Sequence, residues 1–322
     1  MSARWLAGKV GAAALTLLFV LIFNFFLFRA VGDPTTQLAR LPGATDAEIA
    51  QLREDYGLDK PLFGQFVDYL GDTARLDLGV SQKSREEVWD EILHALPWTL
   101  LLVGTGTLLA TLIGSWMGVV AATKRGTKTD DGLLGFSLFT YAAPEYWIGI
   151  ILILVFAVWL PWFPAGQQVT PGVEFTSWFA EAWNVVDHLV LPATAMTLML
   201  LGQYFLIMRS SMVDVMTEDF ITVKRAIGLP RERVINRHAV PNALLPLVTI
   251  SAIQFGAVAG GAITIETIFS WPGLGELSYN AIADKDYPML QGTFLVFSFG
   301  VIFANLLADC LYFFLDPRVK SK

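Results

Sequence analysis

Mostly apolar residues, with a single charged one among them, form six long stretches that are separated by polar segments. A helix needs about 20 apolar residues to cross the hydrocarbon layer of a membrane, and the six stretches approach or exceed this length. The pattern therefore predicts an all-α membrane protein with six transmembrane helices. The predicted spans are Val10–Phe28, Ala95–Thr123, Leu133–Leu160, Leu189–Met208, Ala239–Ile265 and Met289–Ala308.

Two of these spans carry features of their own. The third contains Glu145 directly after Pro144, which predicts a kink or two unequal pieces. Arg4 and Lys9 precede the first span, as in a signal peptide. However, the apolar run is too long for a usual signal sequence, and residues 29–32 form a poor cleavage site. We therefore expect the first span to be retained as a membrane anchor.

The composition agrees with a membrane protein. Apolar residues make up 54% of the chain and charged residues 16%, against about 25% in soluble domains. This composition excludes a disordered or a disulfide-rich chain, and the single Cys310 cannot form an internal disulfide. The net charge of −7 argues against nucleic acid as a partner.

The distribution of charge over the loops predicts the orientation. One side, which includes both termini, has an excess of basic residues over acidic ones, and the other side is strongly acidic. Because short basic loops stay in the cytoplasm, both termini are predicted to be cytoplasmic in a multi-pass protein of the cytoplasmic membrane.

The acidic segment between spans one and two is predicted to form a small extracytoplasmic cap. Helix-like patterns occupy Leu52–Gly57 and Phe63–Leu70, and Pro42-Gly43 and Lys60-Pro61 interrupt them. The predicted organisation is an anchor plus cap over residues 1–94, a transmembrane domain over 95–315 and a cytoplasmic tail over 316–322.

Residue patterns of enzymes are absent from the sequence. His94, His188 and His238 each stand alone at a predicted membrane boundary, and no HExxH, CxxC, GxSxG or GxxxxGK[ST] pattern occurs. We therefore expect no catalytic residue, no metal site and no cofactor bound by this chain, and any energy input must come from a partner protein.

The loop between spans four and five predicts a separate helix over Glu218–Gly228. Thr217 is the expected capping residue, with two acids after it at the helix start, and Gly228 is the expected stop. Phe220, Val223 and Ile227 form an apolar stripe. Lys224 and Arg225 are expected on the other face. The pattern fits an ordinary surface helix as well as a docking helix for a cytoplasmic partner.

Residues 218–249 (EDFITVKRAIGLPRERVINRHAVPNALLPLVT) resemble the signature cytoplasmic loop of permease subunits of binding-protein-dependent ABC importers. The resemblance extends to GGAITIETIFSWPGLG, DYPMLQG and the terminal LDPR. Upstream, Gly32-Asp33-Pro34, GLDKPLFGQF and DLGVS are similar to the B-type permease of dipeptide and oligopeptide importers. The chain departs from the family pattern at Val223–Ala226, where a Glu-Ala-Ala-like opening is usual, and at Pro241 and Glu145.

The resemblance implies a type I ABC importer permease fold and one half of a transport channel. A second, homologous permease would complete the pore, two ATPase subunits would use ATP and Mg, and an extracytoplasmic binding protein would deliver the substrate. Di- or oligopeptides are the implied cargo, and nickel chelates, glutathione or opines are the alternatives. The residues implied to contact an ATPase are Glu218, Asp219, Phe220, Val223, Lys224, Arg225, Ala226, Ile227 and Gly228.

Polar residues inside the predicted spans are candidates for the substrate pathway, because polar groups are costly in a membrane. Interhelical hydrogen bonding is the alternative use of such residues, and Asn24 and Gly260-Gly261 are expected to serve packing. The candidate pore-lining residues are Gln203, Gln254, Thr264 and Asn305.

Two other classes of function compete with the importer. An intramembrane enzyme would need clustered ionisable groups at membrane depth, where the sequence offers only Glu145. A standalone secondary transporter would normally have more spans and an internal repeat.

Overall fold

The described residues of the computed structural model are 3–31, 45, 59–247, 250–251 and 262–315. They are mainly helical, and their one β contact is an isolated antiparallel bridge between Val80 and Glu87. This confirms the all-α class. The helices, numbered here in chain order, are α1 (Ala3–Val31), α2 (Leu62–Ala74), α3 (Val88–Thr123), α4 (Lys128–Ala142), α5 (Glu145–Ile153), α6 (Trp178–Met216), α7 (Asp219–Ala226), α8 (Arg231–Val234), α9 (Val240–Ala243), α10 (Ile263–Ile268), α11 (Leu274–Asp284) and α12 (Tyr287–Leu315).

Four of these helices, α1, α3, α6 and α12, are long and apolar enough to cross a membrane, among the residues that the structure describes. A fifth span results if α4 and α5, with the π-helical turns Leu154–Trp159 that continue α5, are counted together. The predicted fifth span, Ala239–Ile265, includes residues 248–249 and 252–261, which lie outside the described residues. The count of six therefore stays a prediction.

The break that the sequence predicts in span three lies between α4 and α5, whose axes differ by 101°. Ala143 and Pro144 are extended, with ψ of 136° and 135°. The proline ring disfavours helical geometry for the residue before it, so the helix ends there. Glu145 is the first residue of the new helix.

The centre of the fold is the contact between α3 and α6. Small residues along one side of α3 let the two backbones approach closely, as is common between membrane helices. An added Cβ on Gly114 would lie 2.8 Å from the Tyr204 Cβ, and one on Gly118 would lie 2.7 Å from the Met208 Cβ. Tyr204 and Met208 are fully buried. The pair α3–α6 is therefore the closely packed core on which the other elements rest.

The first helix packs against the last. Asn24 of α1 is fully buried, and its Nδ2 donates to the Tyr69 hydroxyl of α2 and to the Gln291 carbonyl of α12, both at 3.2 Å. The expectation that Asn24 packs against a neighbouring span is confirmed. An ion pair of 2.7 Å between Lys9 and Asp309 joins the other ends of α1 and α12.

Helix boundaries differ from the predicted spans where helices continue beyond the apolar stretches. Helix α3 begins at Val88, before Ala95, and α6 extends beyond Leu189–Met208 at both ends. Of the two helical segments predicted in the cap, Phe63–Leu70 lies within α2, and Leu52–Gly57 lies outside the described residues.

Candidate functional site

The helix predicted in the fourth loop exists, with shorter bounds than expected. Helix α7 covers Asp219–Ala226, about two turns, and Glu218 occupies the N-cap position without a side-chain capping bond. The prediction that Thr217 caps this helix is wrong. Thr217 belongs to the end of α6, and its hydroxyl donates to the Asp214 carbonyl at 2.7 Å.

The C-terminal end of α7 depends on Gly228, as predicted. Gly228 has φ of +81°, a left-handed conformation that favours glycine. Its N–H donates to the Arg225 carbonyl at 3.0 Å, and the Leu229 N–H donates to the Lys224 carbonyl at 3.3 Å. These two bonds form a Schellman motif, which ends the helix and turns the chain sharply toward Pro230 and α8.

Helix α7 has one buried face and one exposed apolar face. Ile221 is fully buried and belongs to the same core cluster as Met212 and Val234. The predicted stripe points outward, because Phe220, Val223 and Ile227 are 38%, 57% and 65% exposed. Burial of Ile221 fixes the helix on the protein, and the stripe remains available to a partner.

The charged residues of α7 and its N-cap differ in their exposure. Glu218, Asp219 and Arg225 are exposed, and Lys224 is partly buried. The Arg225 guanidinium lies 4.0 Å from the Met216 sulfur at the end of α6. Acids at the N-terminal end and bases at the C-terminal end both complement the helix dipole.

A second polar site lies around Glu266, for which the sequence analysis predicted no role. Glu266 is fully buried; its Oε1 accepts from the Thr99 hydroxyl of α3 at 2.7 Å. Its Oε2 accepts from the backbone N–H groups of Gly275 and Glu276 at 2.6 and 3.1 Å. The carboxyl group thereby satisfies free N–H groups in the first turn of α11 and ties that helix to α3.

The glycines of the WPGLG segment are required by this arrangement. A Cβ on Gly273 would overlap the Glu266 carboxyl group, and one on Gly275 would lie 2.8 Å from its Oε2. The Trp271 indole N–H donates to the Trp98 carbonyl at 2.9 Å. An acid directly after an apolar run, followed by Pro-Gly-x-Gly, is the sequence signal that could have revealed this site.

Asp286 joins two motifs that are far apart in the sequence, DLGVS and DYPMLQG. Its Oδ2 accepts from the Ser81 hydroxyl at 2.5 Å and from the Lys83 N–H at 3.3 Å, and its Oδ1 accepts from the Met289 N–H at 3.2 Å. Lys83 also pairs with Asp284. The segment before α3 is thus fastened to the corner between α11 and α12.

The structure distributes the predicted pore-lining residues over three helices. Gln203 on α6 and Thr264 on α10 are partly buried, and Asn305 on α12 is exposed. Gln254 and Gly260-Gly261 lie outside the described residues. The role of the four candidate residues in the substrate pathway stays a prediction.

Histidine and acidic residues do not gather into a metal site within the described ranges, where no group of three or more possible ligands occurs. His188 is buried on α6, and its Nδ1 lies 2.8 Å from the Asn184 carbonyl.

The fold defines a helical membrane protein with an exposed apolar stripe on α7, and comparison with known proteins identifies its family. Residues 95–321 match the family described as binding-protein-dependent transport system inner membrane component, and residues 2–103 match the N-terminal model of such components. The chain belongs to this family. It is a membrane-embedded, non-catalytic permease subunit of a transport system.

Named relatives in this family align with nearly the whole chain. The dipeptide transport system permease protein DppB of Escherichia coli is 36% identical over 99% of each chain. The oligopeptide transport system permease protein AppB of Bacillus subtilis is 36% identical over 94% of this chain and 95% of its own. The glutathione transport system permease protein GsiC of Escherichia coli is 35% identical over 94% of both chains.

Proposed function

We propose that this protein is the pore-forming permease subunit of an ATP-driven importer of di- or oligopeptides. The observation that carries the proposal is the full-length similarity to permeases named for dipeptide and oligopeptide transport. The exposed apolar stripe of α7 supports it, because an importer of this family needs a surface through which ATP hydrolysis elsewhere acts on the channel.

The proposed complex contains a second, homologous permease, two ATPase subunits and an extracytoplasmic substrate-binding protein. The sequence has no loop of the type that cradles ATP phosphates, which supports ATP and Mg being used by the partners. In this arrangement both termini and α7 are cytoplasmic, in the cytoplasmic membrane, and the loop between spans one and two faces the binding protein.

Coupling would proceed through α7. Phe220, Val223 and Ile227 would insert into a groove of one ATPase subunit, and Glu218, Asp219, Lys224, Arg225, Ala226 and Gly228 would surround or position them. Because Ile221 fixes α7 to the core, movement of the ATPase would carry the helix and the base of α6 with it. Rigid-body rocking of the spans would then open the channel alternately to the two sides.

The substrate would cross between the two permeases, near the middle of the membrane. Gln203, Gln254, Thr264 and Asn305 would contribute polar groups to this pathway. Amide and hydroxyl groups suit a peptide cargo, because they can both donate and accept hydrogen bonds with its backbone.

Uptake by cells tests the cargo. Cells in which the gene for this chain is deleted should lose uptake of a labelled dipeptide and regain it when the gene is restored on a plasmid. Unlabelled dipeptides and tripeptides should compete with the labelled substrate. Unchanged peptide uptake after deletion, in cells without another peptide importer, would contradict the proposal.

Glutathione is the second candidate cargo, because a glutathione permease is among the relatives. The same deletion strain distinguishes the two. Loss of glutathione uptake with normal dipeptide uptake would favour glutathione.

A further inference from the structure

A buried ion pair joins the beginning of α4 to the last part of α6. The Arg209 Nε donates to the Asp130 Oδ1 at 2.7 Å, and its Nη2 donates to the Oδ2 at 2.8 Å. The Gly126 N–H donates to the same Oδ2 at 3.1 Å. The Asp130 side chain is only 4% exposed and that of Arg209 is 23% exposed. A bidentate pair of this kind fixes both the distance and the relative orientation of the two helices.

Arg209 lies in the last part of α6, which leads directly to α7, the proposed coupling helix. About two helical turns separate it from Met216, where α6 ends, and α7 begins at Asp219. On the neighbouring side, an added Cβ on Gly118 of α3 would lie 3.0 Å from the Arg209 backbone nitrogen. The last part of α6 is thus in close contact with α3 and ion-paired to α4.

The chain that follows α7 returns to the same place. The Arg231 Nη2, in the first residue of α8, donates to the Thr123 carbonyl at the end of α3 at 2.8 Å. Residues 123–130, which we call the α3–α4 corner, therefore hold the chain on both sides of α7. Upstream the contact is Arg209 with Asp130, and downstream it is Arg231 with Thr123.

Stability alone is a weak reason for such a pair. Removing two charges from water costs about as much as their attraction returns, and apolar residues of similar volume often stabilise a protein equally well. What a bidentate ion pair adds is a fixed geometry, because each of its two bonds constrains direction as well as distance. A link of this kind suits an element that must transmit movement.

We propose that Asp130 and Arg209 are positioning residues that transmit the movement of α7 to spans two and three. The proposal rests on the proposed function, in which an ATPase moves α7. When α7 is displaced, the ion pair makes the α3–α4 corner move with the base of α6 as one body. Without it, α6 can shift against α4, and ATP hydrolysis continues without a full opening of the channel.

The test is the ratio of ATP hydrolysed to peptide imported, measured with the complete complex in proteoliposomes. Asp130→Asn keeps the size of the side chain and an acceptor for Gly126, and removes the charge. Arg209→Gln removes the other charge. Each variant should raise the ratio at least threefold while basal ATP hydrolysis stays within twofold of the wild type. The double variant should resemble the single variants, because both changes remove one and the same link.

The Lys9–Asp309 pair supplies the matched control. This ion pair of 2.7 Å also joins two helices, α1 and α12. Neither helix includes residues of the α3–α4 corner. Asp309→Asn should leave the ratio within twofold of the wild type. If Asp130→Asn or Arg209→Gln fails to assemble, Arg209→Lys takes its place. This variant retains the charge but loses the bidentate geometry, so it should raise the ratio less.

Two results would overturn the inference. One is an unchanged ratio in assembled Asp130→Asn and Arg209→Gln complexes, with hydrolysis and uptake falling together. The other is additive effects in the double variant. Failure of the proposed function looks different, because the wild-type complex itself would then show no ATP-dependent peptide uptake.

Discussion

At the level of single residues, Gly228 determines the direction of the chain after α7, for which we propose a role in coupling. Its φ of +81° is costly for alanine, by roughly 1 kcal/mol, and no atom lies within 4 Å of the position that a Cβ would take. The cost of a substitution is therefore conformational, and it changes the direction of α7 without disturbing the core.

The conformational preference and the charge of the new side chain should determine how much peptide uptake each Gly228 variant retains. Asn tolerates the left-handed region better than Ala, so Gly228→Asn should retain more uptake than Gly228→Ala. Gly228→Asp has nearly the shape of Asn, but it adds a negative charge to the surface proposed to contact the ATPase, so it should transport least. All three should reach the membrane at near-normal levels. Peptide uptake per amount of protein in the membrane measures the effect, and equal rates for all three and the wild type would refute the role of this turn.

Gly273 should be intolerant of substitution for a steric reason. In Gly273→Ala the new methyl group overlaps the buried Glu266 carboxyl, which must shift away from Thr99 and α11. Overpacking of this kind costs about 1–3 kcal/mol. The midpoint of thermal unfolding in detergent should fall clearly. Gly132→Ala, a helical site where the added methyl meets nothing within 4 Å, is the control and should not lower it.

Residues with a local role could be predicted from the sequence, and those with a distant partner could not. Gly228 was predicted, because an apolar helical stripe followed by glycine is a local signal. Glu266 was missed, since its partner Thr99 lies in another span and no pattern relates the two positions. Ile221 was also missed, because the face of α7 that is buried depends on the core below it.

At the level of the element, α7 is a short helix with one buried residue, Ile221, and an exposed apolar side. Phe220→Ala and Ile227→Ala should each weaken binding of the ATPase by about fivefold, which corresponds to about 1 kcal/mol for burying the exposed part of a large side chain. The variants should still insert normally. Binding of the ATPase subunit to the purified permease in nanodiscs is the measurement.

Thr222→Ala, on the same helix and exposed, is the control for this prediction. It should bind the ATPase like the wild type. Lys128→Ala, at the exposed start of α4, should likewise leave uptake nearly unchanged. If Phe220→Ala and Ile227→Ala both bind the ATPase with wild-type affinity, α7 is only a connector between α6 and α8.

Long elements were easier to predict than their ends. The apolar stretches placed α1, α3, α6 and α12, and Pro144 placed the break in span three, because proline excludes the residue before it from a helix. Helix α6 nevertheless begins at Trp178, before its apolar stretch. Each turn of a helix forms its own backbone hydrogen bonds, whether or not its side chains are apolar. The π-helical turns 154–159 have no signal in the pattern of hydrophobic residues.

At the level of the whole molecule, the two ends of α6 provide a test of the orientation that the charge distribution predicts. Ser177 and Ser211 lie near its two ends, roughly 50 Å apart at 1.5 Å per residue, which exceeds the hydrocarbon thickness of about 30 Å. With Cys310 replaced by Ser, an impermeant thiol reagent should label Ser177→Cys in intact cells and leave Ser211→Cys unlabelled. Labelling of Ser211→Cys in intact cells would reverse or abolish the proposed topology.

The motifs shared with importer permeases predicted more of the architecture than the patterns of hydropathy and charge did. Hydropathy and charge predict the spans and the side of the membrane on which each loop lies, but they do not predict which helices are in contact. The contact of Ser81 with Asp286 shows why, because it joins residues from either side of four predicted spans. The proposed partner proteins are separate chains, and the main support for them is the similarity of this chain to binding-protein-dependent permeases.

ATP-dependent uptake of a labelled dipeptide by proteoliposomes, with the subunits added stepwise, decides whether this chain is a permease subunit of a peptide importer. Uptake is expected only when this chain, its second permease, the ATPase subunits, the binding protein and ATP are all present. This chain alone should neither hydrolyse ATP nor accumulate peptide. Peptide accumulation or ATP hydrolysis by the purified chain without its partners would contradict the account.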